Sequence, residues 1–175
     1  MGAGKDPTAV IGGKLPIIGG SGRSGKSEVM VCEACEFDDH YQHLSPAYAI
    51  ILNVDNDHLD YFGNMDNAIA SFHRFAGRAK KAVIYDADDA NTRKALEGIG
   101  CRTITFGEHA GADYYPMNIV SVEGQTKFAL MHDNKKLCDV TLNIPGVHNV
   151  LNALAAAAAC FEVGVTPEEF SREIE

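Results

Sequence analysis

The chain has 175 residues, 46% of them hydrophobic, and a formal net charge of −9, values typical of a single globular domain with a full core. The negative charge argues against a general nucleic-acid or anionic-membrane surface, although a few local donors suffice to bind a nucleotide. No apolar run approaches the length of a membrane span, and the first residues lack the apolar stretch of a signal peptide.

The five cysteines indicate a reducing compartment, because their number is odd and several lie in apolar runs. Cys32 and Cys35 form a CxxC pair, but no second pair accompanies them, which disfavours a structural zinc site. A redox pair needs a helix that opens at the first cysteine, whereas Cys32 lies late in an apolar run. We therefore expect free thiols and a cytoplasmic location.

The first half of the chain predicts strands that alternate with helices. Two short apolar runs, Val29–Cys32 and Ala47–Val54, predict buried strands because they are unbroken and β-branched. Residues 39–44 predict a helical turn between them. The elements that follow are a helix at 66–80, a strand at 82–85, a helix at 88–98 and a strand at 103–106, assigned from apolar spacing and from capping residues.

The second half predicts antiparallel hairpins followed by helices. Strands at 114–122, 126–132 and 136–144 are joined by short turns at Glu123-Gly124 and Asp133-Asn134. An alanine-rich helix at 148–163 follows, and Thr166-Pro167 begins another. The predicted fold class is α/β: a mostly parallel sheet flanked by helices, with an added antiparallel hairpin region, in one domain over residues 1–175.

Two polar side chains follow the first two predicted strands. Glu33 ends the first run, and His58 lies in the segment Asn53–Asp60, which follows the second. Because ligands bind at the carboxyl ends of parallel strands, a carboxylate and a neutral imidazole there can hold a divalent cation for phosphate chemistry. The same residue types also suit ordinary turns and a hydrogen-bonded structural histidine, so the residues alone leave both interpretations open.

The segment Gly20–Ser27 fits the P-loop pattern G-x-x-x-x-G-K-S. That pattern binds phosphate when a strand precedes it and a helix opens from its Lys-Ser end, where the helix dipole favours the anion. Here Lys26-Ser27 leads into the predicted strand Val29–Cys32. We therefore favour a loop, assign Lys26 no role, and keep a P-loop nucleotide hydrolase or kinase as an alternative function.

Two blocks of sequence resemble the central domain of the Mur ligases. The first is Cys32–Asp39, followed by His43–Pro46 and by Asn53–Gly63 with its Asp-His-Leu-Asp element. The second is Pro145–Ala153, with a Pro-Gly-x-His-Asn-x-x-Asn element before an alanine-rich helix. The blocks stand in the family's order, and the intervening segments fit, so the resemblance covers nearly the whole chain.

The resemblance implies a P-loop NTPase-like domain that lacks its P-loop segment. The family's own motif, Gly-Thr-His-Gly-Lys-Thr in typical members, does not occur in the chain. We therefore expect a fragment of a longer ligase, in which a UDP-binding domain precedes this region and a Rossmann-like domain follows it.

The resemblance also implies ATP and Mg²⁺ as cofactors. Glu33 matches the glutamate that ligates magnesium beside the γ-phosphate, and His58 matches the histidine that holds a second magnesium. Glu36 is a weaker candidate ligand, and Asp57 and Asp60 are candidates to orient His58. The sequence assigns no role to residues 41, 43 and 61.

Three residues of the second block are expected near ATP: His148, Asn149 and Asn152. Positions separated by three or four residues share a helix face, and amide side chains can pair with an adenine edge. The alternative is that both asparagines cap the helix or its loop.

The motifs are most similar to those members of the family that join L-alanine to UDP-N-acetylmuramate through an acyl phosphate. These two molecules are therefore the expected partners, with no nucleic acid and no membrane. A family neighbour that recycles a whole tripeptide onto the same nucleotide sugar is the alternative substrate assignment. A non-catalytic α/β binding module is the alternative class for the chain by itself.

Overall fold

The strands form two separate sheets, of which the larger carries the candidate site. The computed structural model describes residues 1–174. The strands, β1 to β9 in chain order, are Thr8–Leu15, Gly20–Arg23, Met30–Cys32, Tyr48–Ile51, Ala82–Asp86, Arg102–Phe106, Tyr114–Val122, Gln125–His132 and Lys135–Leu142. The larger sheet has the order β4-β5-β6-β7-β8-β9, and the smaller has the order β2-β1-β3.

The larger sheet is parallel from β4 to β7 and antiparallel from β7 to β9. The predicted fold class, a mostly parallel sheet with an added antiparallel hairpin region, is thus confirmed. Both hairpin turns fall where they were predicted. The backbone φ is positive at both central residues of each turn, 52° at Glu123, 82° at Gly124, 49° at Asp133 and 60° at Asn134, which is the conformation that suits the twist of two-residue hairpins.

The helices, α1 to α5 in chain order, are Leu59–Phe62, Met65–Ala76, Ala90–Leu96, Val147–Glu162 and Pro167–Glu173. Side-chain caps begin three of them. Asn64 accepts from the backbone N–H of Asn67, Asp89 accepts from that of Thr92, and Thr166 forms a reciprocal capping box. The predicted helices at 66–80, 88–98 and 148–163 are confirmed with slightly different ends. Within residues 1–174, no helix combines the length and the apolar character that crossing a membrane requires.

Helices cover both faces of the larger sheet, as side chains of β5 illustrate. Ile84 packs in a core cluster with Val150 and Leu154 of α4, whereas its neighbour Val83 packs in another with Phe75 of α2. Successive residues of a strand point to opposite faces, so one strand serves both layers. The alanines of α4 allow it to lie close to the sheet.

The prediction that Val29–Cys32 is a buried strand was wrong. Its residues 30–32 form β3, which pairs in parallel with β1 in the smaller sheet, and Met30 and Val31 are 58% and 56% exposed. An apolar, β-branched run predicts an extended backbone, but its burial depends on a covering layer that the run does not encode. The strand predicted at 47–54 is also shorter: β4 is an edge strand on which Ile50 is exposed.

The structure disfavours the P-loop alternative for Gly20–Ser27, and it limits the predicted loop to the second half of the segment. Residues 20–23 form β2, and the rest of the segment is a loop that leads to β3, with no helix after Lys26-Ser27. The loop directs its donors at the protein itself, because the N–H of Lys26 and the guanidinium of Arg23 both bind the carboxylate of Asp6. These two donors are therefore engaged by an internal carboxylate.

Candidate functional site

The first turn of α4 lies toward the end of the larger sheet at which the parallel strands finish, the same end as the carboxyl end of β4. At the other end of the sheet, where the parallel strands begin, Tyr48 of β4 donates to the carbonyl of Glu162, the last residue of α4 (3.4 Å). Arg102, which begins β6, makes a bidentate ion pair with the Glu162 carboxylate (2.8 and 2.9 Å). The 16-residue α4 spans about 24 Å and therefore reaches back past the carboxyl ends of these short strands.

His58 meets two carboxylates beyond β4. Its Nε2 lies 3.4 Å from Glu36 Oε1, and its Nδ1 lies 3.7 Å from Asp57 Oδ1. The three side chains offer ligand atoms that lie within 4.8 Å of one another. The side chains of His58 and Glu36 are about one third exposed (34% and 33%), so a small ion can reach them from solvent.

The backbone holds His58 in an uncommon conformation. His58 precedes α1 with φ 53° and ψ 34°, in the left-handed region that few residues other than glycine adopt. Asp57 Oδ1 accepts the backbone N–H of His58 (2.8 Å), and the Phe37 ring packs on the imidazole with centroids 5.1 Å apart. Such conformations are strained and are found preferentially at functional sites.

Glu36 and His58 suit one divalent cation. Adjacent ligands of an octahedral Mg²⁺ site, with bonds of about 2.1 Å, lie about 3 Å apart, close to the observed separation of 3.4 Å between Nε2 and Oε1. Asp57 faces the other ring nitrogen, where a carboxylate orients a ligating imidazole. The donor set therefore fits a cation between Glu36 and His58, and the Asp57 carboxylate lies 3.7 Å from the other ring nitrogen.

The structure does not bring Glu33 into this cluster. Its carboxylate accepts the backbone N–H of Gly12 (2.5 Å), and its own N–H donates to the carbonyl of Val10 (2.9 Å), so Glu33 is held against β1. Glu36, which the sequence ranked as the weaker candidate, is the glutamate beside His58. Asp60 is exposed and lies outside the cluster of ligand atoms.

A groove lies beside the start of α4, with a volume of about 390 Å³. Two of the predicted residues, Asn149 and Asn152, line it. The sequence did not identify the others, which are mostly apolar: Leu142, Asn143, Ile144, Ala153, Ala156 and Ile174. Ile144 stands next to the Pro145-Gly146 motif, but Ile174 carries no signal in the sequence because only the packing of the C-terminal segment brings it here.

Asn149 presents an acceptor in this groove. Its Nδ2 donates to the carbonyl of Pro145 (2.7 Å), which fixes the orientation of the amide. The oxygen Oδ1 is then left to face a ligand. His148 does not line the groove; its ring lies beside Gly146, where an added Cβ would come within 2.6 Å of the imidazole Cε1.

A carboxylate after β5 fastens the loop that carries His58. Asp89 Oδ1 accepts from the backbone N–H of Val54 (3.3 Å) as well as from Thr92 N in its role as the α3 cap. Asn91 donates to the Val54 carbonyl (2.9 Å). The chain beyond β4 is thus tied to α3 before it turns toward His58.

Comparisons with known proteins identify the family of the chain. The family model described as the Mur ligase middle domain matches residues 20–160. A UDP-N-acetylmuramate–L-alanine ligase from Caldanaerobacter subterraneus subsp. tengcongensis is 41% identical over 170 residues, which cover 95% of this chain and 37% of that protein. The chain thus spans little more than a third of the length of the curated relatives it matches.

Two solved structures have the same fold. The UDP-N-acetylmuramate–alanine ligase from Thermotoga maritima matches with a TM-score of 0.83 at 26% identity, over 98% of this chain and 38% of that one. The UDP-N-acetylmuramate:L-alanyl-γ-D-glutamyl-meso-diaminopimelate ligase from Neisseria meningitides matches with a TM-score of 0.85 at 23% identity, over 99% and 58%. On its sequence and its fold, the chain belongs to the Mur ligase middle domain family.

Proposed function

We propose that this chain is the ATP-binding central part of a ligase that joins L-alanine to UDP-N-acetylmuramate in the synthesis of peptidoglycan precursors. One observation carries the proposal: the cluster of cation ligands around His58 and the groove beside the start of α4 both lie toward the carboxyl ends of the parallel strands of the larger sheet. Relatives at up to 41% identity support the choice of substrates. ATP and a nucleotide sugar as substrates suit the cytoplasmic location expected from the free thiols.

The proposed reaction has two steps, and ATP is consumed in the first. The carboxylate of UDP-N-acetylmuramate takes the γ-phosphoryl group, which releases ADP and leaves an acyl phosphate. The amine of L-alanine then attacks the acyl carbon, phosphate leaves, and an amide forms. A bound Mg²⁺ would neutralise phosphate charge as it shifts during the transfer.

Two cation positions follow from the residues. Glu36 and His58 hold one ion in this proposal, with Asp57 orienting the imidazole. Glu33, which the resemblance assigns to the ion beside the γ-phosphate, is proposed as a ligand of the other. Because Glu33 lies outside the His58 cluster, the proposal assigns the two glutamates to different ions.

The groove beside α4 is proposed to bind the adenine of ATP. Its apolar side chains suit a base face, and Asn149 Oδ1 can accept a hydrogen bond from the adenine amino group. Guanine presents a carbonyl at that position, which would meet the Asn149 oxygen acceptor to acceptor. The hydrogen bond from Asn149 Nδ2 to the Pro145 carbonyl therefore favours ATP over GTP, because it leaves the oxygen of the amide for the base. Asn152 is proposed to contact the same base, and His148 to lie beside the nucleotide.

The tripeptide-recycling ligase is the second substrate assignment. The solved ligase whose name includes a peptide of this kind has a TM-score of 0.85, compared with 0.83 for the alanine ligase. At 23% identity, however, this similarity shows only that the fold is shared. The relatives at higher identity are L-alanine ligases, which favours L-alanine. For the chain by itself we predict weak or undetectable ATP binding, because the family's P-loop motif does not occur in its sequence.

The test uses the full-length ligase that we propose contains this chain. Phosphate release from ATP is followed with UDP-N-acetylmuramate and, in turn, L-alanine, other amino acids or the tripeptide. Release that requires both the sugar nucleotide and L-alanine is the expected result. Release with the tripeptide alone would identify the recycling activity, and release that is independent of the sugar nucleotide would refute the ligase assignment.

Two variants separate the ligase from the P-loop alternative. We expect His58→Ala to lower turnover strongly while the melting temperature changes little, since the side chain is one third exposed and lies outside the core clusters. Lys26→Ala, in an exposed loop, is the matched control and should leave ATP turnover unchanged. Loss of nucleotide binding in Lys26→Ala with unchanged turnover in His58→Ala would reverse the assignment.

A further inference from the structure

The carboxylate of Asp39 joins the segments that bring Glu36 and His58 together. Asp39 lies in the 3₁₀ turn Phe37–His43, which follows Glu36. Its Oδ2 accepts from the hydroxyl of Tyr61 in α1 (3.2 Å) and from the guanidinium of Arg74 in α2 (3.3 Å). Its Oδ1 accepts from the hydroxyl of Ser71, also in α2. One side chain thus links its own turn to two helices.

The pairing of strands does not set the distance between Glu36 and His58. Glu36 follows β3 in the smaller sheet, whereas His58 follows β4 in the larger one, and these two strands are not hydrogen-bonded to each other. The 3.4 Å approach of the two side chains therefore depends on contacts between the segments after the strands.

Asp39 supplies these contacts on both sides of the cluster. On one side, its backbone N–H donates to the carbonyl of Glu36 (3.1 Å). On the other, it holds Tyr61, which lies in the short helix that begins after His58. The Tyr61 and Phe37 rings have centroids 5.9 Å apart, and Phe37 in turn packs on the His58 imidazole.

The network behind Asp39 keeps it ionised and fixed. Tyr41 is buried, and burial raises the pKa of its phenol to about 12, so it remains a neutral donor. The Ser71 hydroxyl donates its hydrogen bond to Asp39. The Tyr41 hydroxyl therefore acts as the donor to Ser71 Oγ (2.8 Å). Burial raises the pKa of Asp39, but hydrogen bonds from Ser71 and Tyr61 and the charge of Arg74 outweigh it and hold that pKa below its ordinary value.

The backbone at this position needs such support. Asp38 and Asp39 have φ values of 54° and 55°, in the left-handed region that is strained for residues other than glycine. Both Asp39 oxygens already accept hydrogen bonds, so this carboxylate acts as an anchor rather than as a cation ligand. Asp38, by contrast, is exposed, and its carboxylate lies 3.6 Å from His40 Nε2.

We propose that Asp39 is a positioning residue that sets the spacing of Glu36 and His58 and thereby the affinity of the site for a divalent cation. The inference rests on the proposed function, because it takes these two side chains to hold a cation. It gives a role to Asp39, and to a network through Tyr61 and Ser71, to which the sequence motifs assign none.

The test measures Mn²⁺ binding to the full-length ligase without nucleotide, by the electron paramagnetic resonance of the free ion. We expect Asp39→Asn to weaken Mn²⁺ binding roughly tenfold, in the range found for groups that orient metal ligands. Tyr61→Phe, which removes one hydroxyl, should weaken it in the same direction. Asp38→Asn is the matched control and should bind as the unaltered protein does.

Steady-state kinetics give a second measurement. In Asp39→Asn and Tyr61→Phe the Mg²⁺ concentration for half-maximal activity should rise, while kcat at saturating Mg²⁺ stays near that of the unaltered enzyme. A purely structural role would instead lower the melting temperature and leave this concentration unchanged. Where Asp39→Asn fails to fold, Tyr61→Phe decides.

The outcomes separate this inference from the proposed function. Normal Mn²⁺ binding by Asp39→Asn or, where that variant does not fold, by Tyr61→Phe, together with lost binding in His58→Ala, would overturn the role of Asp39 and leave the cation site standing. Normal binding in His58→Ala as well would overturn the cation site itself.

Discussion

Replacement of Asn149 by Ala tests whether the groove beside α4 selects adenine. The Asn149 amide nitrogen is engaged by the Pro145 carbonyl (2.7 Å), which leaves Oδ1 as the acceptor. We expect this oxygen to accept one hydrogen bond from the adenine amino group. The substitution removes that acceptor and leaves the apolar lining of the groove in place.

The expected magnitude follows from one neutral hydrogen bond. Such a bond contributes about 0.5–1.5 kcal/mol net, which corresponds to a rise of roughly 2- to 12-fold in the Kd for ATP. GTP gains nothing from Oδ1 in the unaltered protein, because its carbonyl faces another acceptor. The preference for ATP over GTP should therefore shrink by at least the same factor, because removal of Oδ1 weakens ATP binding and also relieves its repulsion of the guanine carbonyl.

The assay is calorimetric titration of the full-length ligase with each nucleotide in the presence of Mg²⁺. Asn143→Ala is the matched control, since Asn143 lines the same groove but its Oδ1 already accepts from Gln125 (2.7 Å). Equal weakening of ATP and GTP by Asn149→Ala would refute the reasoning, because it would mean that Asn149 only shapes the start of the helix. Unchanged ATP binding would refute it as well.

Three further predictions concern stability and are measured by urea unfolding of the chain. Asp89→Ala removes the α3 cap and the bond to Val54, so we expect the free energy of unfolding to fall by about 1–2 kcal/mol. Asp66→Ala, at an exposed position, is the control, and an equal fall in both variants would count against the cap. Thr126→Val replaces a buried hydroxyl that has no partner within residues 1–174, and we expect a gain of about 1 kcal/mol; a loss would show that the hydroxyl is bonded. Burial raises the pKa of Asp86 above its ordinary 3.8 despite a hydrogen bond from Asp88, so its ionisation opposes folding as pH rises through that range. Asp86→Asn should therefore stabilise the chain at pH 7, with a gain that shrinks as the pH falls toward 3.8; a gain independent of pH would exclude this cause.

The sequence predicted elements whose signals are local. The turns at Glu123-Gly124 and Asp133-Asn134 could be located because positive φ values at a two-residue turn restrict the residues that can stand there. The α5 start was predicted from Thr166-Pro167, where the cap and the first helical position lie side by side. In each case the determining contacts lie within a few residues.

Burial and assembly of the strands could not be predicted in the same way. The run at 29–32 and the run at 82–85 look alike as sequence, yet Val31 is 56% exposed and Val83 is fully buried. The difference arises from α2, α3 and α4, which cover β5, and from the placement of β3 in another sheet. An apolar run determines neither its neighbours nor its covering layer.

In the candidate site, too, the residues placed by local structure could be predicted, and those placed by tertiary packing could not. Asn149 and Asn152 were expected on one face of a helix, and both line the groove, because helical periodicity determines which side chains share a face. Ile174 lies far along the chain and reaches the groove through tertiary packing alone. The structure therefore adds the apolar walls to a pair of amides that the sequence had already identified.

The choice between Glu33 and Glu36 beside His58 depends on one turn of the backbone. β3 ends at Cys32, and the left-handed φ values of Asp38 and Asp39 redirect the chain in the turn that follows. Glu33 stays against Gly12, whereas Glu36 reaches the imidazole. No periodicity predicts such a turn, because non-glycine residues seldom adopt the conformation and require neighbouring contacts to hold it. The bonds from Ser71, Tyr61 and Arg74 to Asp39 provide those contacts, so residues in two helices support the turn that follows Glu36.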